Sequence, residues 1–316
     1  MAIKIATREA YGIALAEVGA DPNVIVLDAD LSKSTKTDTF KKKYPERFIN
    51  CGIAEGNMMA VAAGIATTGK TVFASTFAMF AALRACEQVR NSIAYTKLNV
   101  KVCATHAGIS IGEDGASHQA IEDIAIMRAI PNMTVISPCD GVSTDAAVKA
   151  AAAMKGPVYM RLGRLAVDQV YDEENFKDFK FELGKGITTR EGNDVTIIAT
   201  GLMVQIAIEA VGKLAAEGIN ARLIDIHTIK PLDHEIIIKA AKETGAIVTA
   251  EEHNIMGGLG GAVAEVLAQN WPTPMRFVGV EDIFGKSGKP AALLVMYGLT
   301  SDHIVSEVKE VLKVKK

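Results

Sequence analysis

Two α/β domains in tandem, each a parallel sheet clothed by helices, are the architecture that this sequence predicts. Three observations carry the prediction. Short apolar bursts alternate with stretches of helical period, the rhythm of a parallel sheet covered on both faces. Hydrophobic residues make up 49% of the chain and aromatics only 5%, so the core has to be aliphatic and alanine-rich, as helices on buried parallel strands require. From 165 to 193 the rhythm breaks into a charged stretch without clear period, and then it starts again. A length of 316 residues also suits two domains better than one.

The elements follow in order. Residues 24–27 are a buried-strand run that ends at Asp28-Ala29-Asp30. Residues 48–51 form a strand that turns through Gly52 into 54–68, where Met58, Met59, Val61, Ala62 and Ile65 recur at helical spacing. A strand at 71–74, a long helix through Ala94 and a strand at 100–103 come next. The cycle repeats with a strand at 133–136, an alanine-rich helix at 143–154 and a strand at 158–160. Beyond the charged run YDEENFKDFKFELGKG come strands at 195–199, 221–226, 246–250 and 275–280, a helix at 203–217 and a closing helix at 301–314. This places a first domain at 1–165, a connection at 166–190 and a second domain at 191–316, with the boundary near 185.

Several function classes are disfavoured at once. With 34 basic and 37 acidic residues the net charge is -3, which argues against a nucleic-acid surface. The four cysteines stand singly, without metal or redox spacing, and read as reduced core thiols. The start shows no basic-then-apolar signal region, and no run reaches the ~18 apolar residues of a membrane span. A cytoplasmic protein without a membrane partner is therefore expected. The glycines at 257, 258, 260 and 261 lie between a strand and a helix, but a dinucleotide fingerprint needs a small residue where Val263 stands. Their expected role is close helix packing.

The densest polar stretch is 105–119, THAGISIGEDGASHQ, directly after a strand. Ligands of open α/β sheets bind at that end of a strand. Glycines at 108, 112 and 115 let the backbone turn sharply, so that two histidines and two carboxylates can converge. The acids and histidines lack a metal-ligand spacing, so no metal is assigned to this chain.

This stretch, THxxIxxGEDGxxHQ, resembles the substrate loop of transketolases, and the resemblance continues in order along the chain. It takes in Ala6-Thr7-Arg8, Asp30-Leu31-Ser32-Lys33-Ser34, the Glu55 segment, Ser75 to Phe80, the segments Ile121 to Asp123, Met127 to Asn132 and Pro138 to Asp140 and, in the second domain, TIKPLD from Thr228. It covers residues 6–165 closely and the rest more loosely. The implied fold is a thiamine-diphosphate pyrimidine-binding domain followed by a transketolase C-terminal domain.

The resemblance also implies roles. Glu55 matches the glutamate that hydrogen-bonds N1′ of the cofactor's aminopyrimidine ring and so promotes loss of the C2 proton; the chemistry asks for an acid sharing a proton in a site closed to water. Phe77 and Phe80 match the apolar wall behind that ring, while Leu83-Arg84 stand where the family has a further aromatic. Asp30 matches a residue lining the cofactor cleft. His106 and His118 are implied at the hydroxyl and carbonyl groups of the substrate, and Asp114 at sugar hydroxyls. Arg8, Ser34 and Arg161 are implied at the sugar phosphate, which a guanidinium binds in bidentate fashion; Arg164 competes with Arg161 for that role. Ala107 departs from the family, which has an acid after the first histidine.

Full-length transketolases hold Mg²⁺ or Ca²⁺ and the diphosphate through a GDG motif that this sequence does not contain. A diphosphate needs that neutralisation. The expectation is a separate N-terminal transketolase subunit that holds the metal, an α2β2 assembly, and phosphorylated sugars as substrates. Two relatives compete: the beta subunit of 2-oxo acid dehydrogenases, and deoxyxylulose-phosphate synthase with its related loop. GEDGxxHQ with its flanking histidine favours transketolase. A non-catalytic scaffold or regulatory partner is the alternative of another class; the retention of Glu55, Phe77, His106, Asp114 and His118 speaks against it.

Overall fold

The computed structural model describes residues 4–172, 176 and 179–315. Two sheets organise them. The first has seven strands, in the spatial order Thr228–Lys230, Thr134–Ile136, Val158–Arg161, Val100–Thr105, Thr71–Phe77, Val24–Asp28, Phe48–Asn50. The second has five, in the order Met275–Val280, Ile247–Asn254, Val195–Ala199, Ala221–Asp225, Ile187–Arg190. Strands inside both sheets pair in parallel. The central strand Thr71–Phe77 is buried at every position, the state that a sheet sandwiched between helix layers imposes.

Neither sheet is purely parallel. Thr228–Lys230 adds to the first sheet antiparallel, next to Thr134–Ile136, although it lies in the second half of the chain. Ile187–Arg190 closes the second sheet antiparallel. The connection expected at 166–190 is thus consumed at both ends. Ala166–Asp168 pairs with Lys4–Ala6 in a small two-stranded sheet, and Ile187–Arg190 joins the second domain. The whole charged run lies between those strands, and residues 173–175 and 177–178 of it lie outside the described residues.

The helix expected through Ala94 is not a regular one. Wide turns with i to i+5 hydrogen bonds span Phe80–Arg84 and Val89–Ala94, on either side of Cys86–Gln88; Ala85 N–H donates to the Phe80 carbonyl and Tyr95 N–H to that of Arg90. Such turns gather at functional sites. Here they bring Phe80 and Arg84 onto one face.

The glycine run does admit close packing. A Cβ on Gly258 would strike the Glu251 carboxylate, and one on Gly260 would strike Phe277. The buried Glu251 carboxylate accepts from the backbone N–H groups of Leu259 at 2.7 Å and Gly260 at 2.8 Å. The protein's own acid therefore occupies the anion position at the start of helix Leu259–Asn270, where a nucleotide phosphate would otherwise sit.

Candidate active site

The residues singled out in the sequence gather at the C-terminal edge of the first sheet, where such folds bind ligands. Strand Val24–Asp28 delivers Asp30, Thr71–Phe77 delivers Phe77, and Val100–Thr105 delivers His106. Strand Phe48–Asn50 leads through Gly52, at φ 69°, into helix Glu55–Ala66. Glu55 opens that helix, where a carboxylate is favoured by the unpaired N–H groups, and it is only 2% exposed.

An unbroken chain of contacts runs through the cleft. Arg84 Nη1 donates to both oxygens of Glu55, at 3.1 and 3.0 Å. Its guanidinium lies 4.3 Å over the Phe80 ring. Phe80 meets His118 edge-on, with ring centroids 5.3 Å apart, and stacks with Phe77 at 6.1 Å. Phe77 lies 4.0 Å from the His106 ring. His106 Nε2 is 3.1 Å from Arg8 Nη1, which also donates to the Ser34 carbonyl at 3.0 Å. Seven of the residues named from the sequence (Glu55, Phe77, Phe80, His106, His118, Arg8, Ser34) are thus brought together, with Arg84 as the link.

His106 takes a left-handed backbone conformation, φ 59°, a geometry uncommon outside glycine and found where surrounding structure enforces it. Its Nδ1 meets Thr105 Oγ1 at 2.9 Å. Burial above all, then the positive charges of Arg8, Arg164 and Lys36, and His118, push its pKa down to about 3. The imidazole is neutral at physiological pH, with one nitrogen to donate and one to accept. Burial likewise lowers the pKa of Arg8, with Glu9 opposing and Arg164 assisting.

Two expected residues stand apart from this chain of contacts. Asp114 is exposed on the loop. Asp30, also exposed and with φ 64°, exchanges hydrogen bonds with Asn50, accepting from its side-chain nitrogen at 2.8 Å.

Arg161 requires a correction. Its side chain is 6% exposed and its Nε donates to Asp123 at 2.8 Å. Its Nη2 donates to the carbonyls of Ala120 and Glu252. Although burial opposes its charge, Asp123 and Glu252 raise its pKa overall. With Nε and both hydrogens of Nη2 engaged in this way, no two-nitrogen fork is left for a sugar phosphate. Arg164, three residues on, is part-exposed, bonds the Ile111 carbonyl and pairs with Glu113 at 3.2 Å. Its charge reaches both Arg8 and His106.

Sequence reasoning missed the second domain's part in the site. Glu252 Oε1 accepts from Ser110 N–H at 2.6 Å, and a Cβ on Gly108, whose φ is 82°, would strike its carboxylate. Burial raises the pKa of Glu252, against the opposing pull of Arg161 and the Ser110 hydrogen bond. Gln119 donates to the Lys286 carbonyl at 2.9 Å, and Ser287 Oγ to that of Glu113 at 2.6 Å. The loop 108–119 is braced from behind by the second domain. Contacts across more than 100 residues leave no local signal, so only the fold reveals them.

Comparison with known proteins now decides the family. Residues 3–169 match the family described as transketolase, pyrimidine binding domain, and residues 184–304 match transketolase, C-terminal domain. The chain belongs to the transketolase family. Among solved structures, a split-gene transketolase described as an inactive β4 tetramer is 56% identical, with a TM-score of 0.92 over 99% of this chain and 100% of that one. A Methanocaldococcus jannaschii chain, provisionally named transketolase C-terminal section, is 52% identical over 97% of this chain and 96% of its own length. Human transketolase is 42% identical over 97% of this chain but only 49% of its own length. The chain thus corresponds to a transketolase C-terminal section of the split-gene kind and spans about half of the human protein. Transketolases use thiamine diphosphate, and the buried acid beside an aromatic wall fits the pyrimidine end of that cofactor. Among the described residues no helix is long and apolar enough to cross a membrane.

Proposed function

We propose that this chain is the C-terminal subunit of a two-chain transketolase. It transfers a two-carbon ketol unit from a ketose phosphate such as xylulose 5-phosphate to an aldose phosphate such as ribose 5-phosphate. The observation that supports this best is the continuous run of contacts from Glu55 through Arg84, Phe80, Phe77 and His106 to Arg8. It joins a cofactor end to an anion-binding end in one cleft.

Thiamine diphosphate supplies the nucleophilic carbon when bound. Glu55 would hold the pyrimidine N1′ and share a proton there, a role for which a buried carboxylate suits better than a solvated one. Phe77 and Phe80 would wall the ring from water. His106, neutral, and His118 would hold and exchange protons with the substrate's oxygen atoms. Asp114 would bind sugar hydroxyls and Asp30 line the cofactor cleft. Arg8, with Ser34, and Arg164 in place of Arg161 would take the phosphate. Mg²⁺ or Ca²⁺ and the diphosphate would be held by an N-terminal transketolase subunit in an α2β2 assembly, acting in the pentose phosphate pathway of the cytoplasm. The split-gene relative's description as an inactive β4 tetramer supports dependence on such a partner.

The test is complementation. The pure chain should show no ketol transfer; adding the N-terminal subunit, thiamine diphosphate and Mg²⁺ should restore it. Full activity from the 316-residue chain alone would overturn this reading.

A further inference from the structure

The anion-binding end of the cleft carries a third cation that the transketolase resemblance does not assign. Lys36 closes the short helix Ser32–Thr35 in the left-handed conformation, φ 68°. It stands two residues beyond Ser34, whose carbonyl takes the Arg8 hydrogen bond. Its backbone lies against helix Thr7–Val18 at Gly12: a Cβ there would come within 2.6 Å of the Lys36 Cβ and carbonyl oxygen. The glycine is what admits the lysine to this place. From it, Lys36 Nζ lies 3.3 Å from Glu9 Oε1, with both side chains part-exposed. Its charge also reaches His106 beside those of Arg8 and Arg164.

The counter-charges are few and outward. Lys36 has Glu9, and Arg164 has the exposed Glu113. Among the described residues no carboxylate forms an ion pair with Arg8, whose buried Nε has no hydrogen-bond partner. Three cations around one neutral imidazole, held by two surface carboxylates, make a site short of negative charge. A part-buried guanidinium that has hydrogen bonds but no ion pair favours an anion that reaches it.

We propose that Lys36 is a specificity-determining residue for the substrate's distal anionic group. Glu9 holds it until that group arrives, and Lys36 then adds a third positive contact that favours a phosphate dianion over an uncharged sugar. This rests on the ketol-transfer reading above.

The test uses the reconstituted two-chain complex with ribose 5-phosphate and with glycolaldehyde, an acceptor without charge. Lys36→Met removes the charge and keeps an unbranched side chain only one atom shorter. It should lower the ratio of kcat/KM for ribose 5-phosphate to that for glycolaldehyde by about fivefold, the scale of a half-exposed ion pair. Lys36→Arg should restore the ratio, Glu9→Gln should raise it, and added salt should weaken all three effects. Arg8→Ala serves as the control. If Arg8→Ala lowers the ratio and Lys36→Met does not, Lys36 has no such role and the ketol-transfer reading stands. Equal losses for both acceptors in Lys36→Met also overturn the proposal, by showing a structural role. A wild-type complex that transfers no ketol group overturns both.

Discussion

Arg161 Nε donates to Asp123 Oδ2 at 2.8 Å in a place where the two side chains are 6% and 1% exposed. The same carboxylate oxygen accepts from the Tyr159 hydroxyl at 2.7 Å. Removing one partner of a buried pair leaves the other charge uncompensated. Arg161→Ala should therefore destabilise the fold by about 3–5 kcal/mol and lower the melting temperature without selective loss of phosphorylated substrates. Arg164→Ala should do the reverse. Loss of a charge-assisted contact of roughly 1.5–3 kcal/mol raises KM for ribose 5-phosphate by about 10- to 150-fold and spares unphosphorylated donors such as hydroxypyruvate. Thermal unfolding and KM measured on both variants separate the roles; a phosphate-selective defect in Arg161→Ala would return the contact to Arg161.

The brace between domains gives a second expectation. Glu252→Ala strips Ser110 N–H of its acceptor and deprives Arg161 of a nearby negative charge. An unsatisfied buried donor costs roughly 1–3 kcal/mol, and the cost should fall on the loop 108–119. Faster amide exchange confined to that loop, together with reduced ketol transfer, is the expected result. An unchanged loop would show that the second domain does not position it.

Stability toward acid should depend on His227. Its ring is fully buried, stacks 4.2 Å from Phe181, and burial pushes its pKa down to about 4. The unfolded chain takes up a proton near pH 6.5 that the folded chain refuses. As the pH falls from about 6.5 toward 4, stability is lost by up to about 1.4 kcal/mol per pH unit for this one group. His227→Gln should flatten the melting temperature across that window relative to wild type. An identical pH slope in the two proteins would refute the assignment.

Much of the fold was legible because buried parallel strands are written in local composition. The strand ending at Asp28 and the strands Val195–Ala199 and Met275–Val280 lie where the apolar bursts stand. Pairings that join distant segments were not legible. The ladder of Lys4–Ala6 with Ala166–Asp168 and the crossing of Thr228–Lys230 onto the first sheet depend on contacts that no local pattern announces. Arg84 was visible only as a missing aromatic, because a wide turn rather than an α-turn sets which side chains share a face. Arg161 ends a strand buried at all four positions, so an arginine there has to be paired internally, while Arg164 lies beyond the strand end.

On the proposed function, Glu55 shares a proton with the cofactor at a site made of Phe77, Phe80 and Arg84. The most direct measurement is C2 hydrogen–deuterium exchange of thiamine diphosphate bound to the reconstituted complex, wild type against Glu55→Gln. The amide keeps a hydrogen bond but cannot share the proton, so exchange should slow by about 100- to 10,000-fold while the fold and the assembly remain intact. Exchange at the wild-type rate in Glu55→Gln would contradict the account.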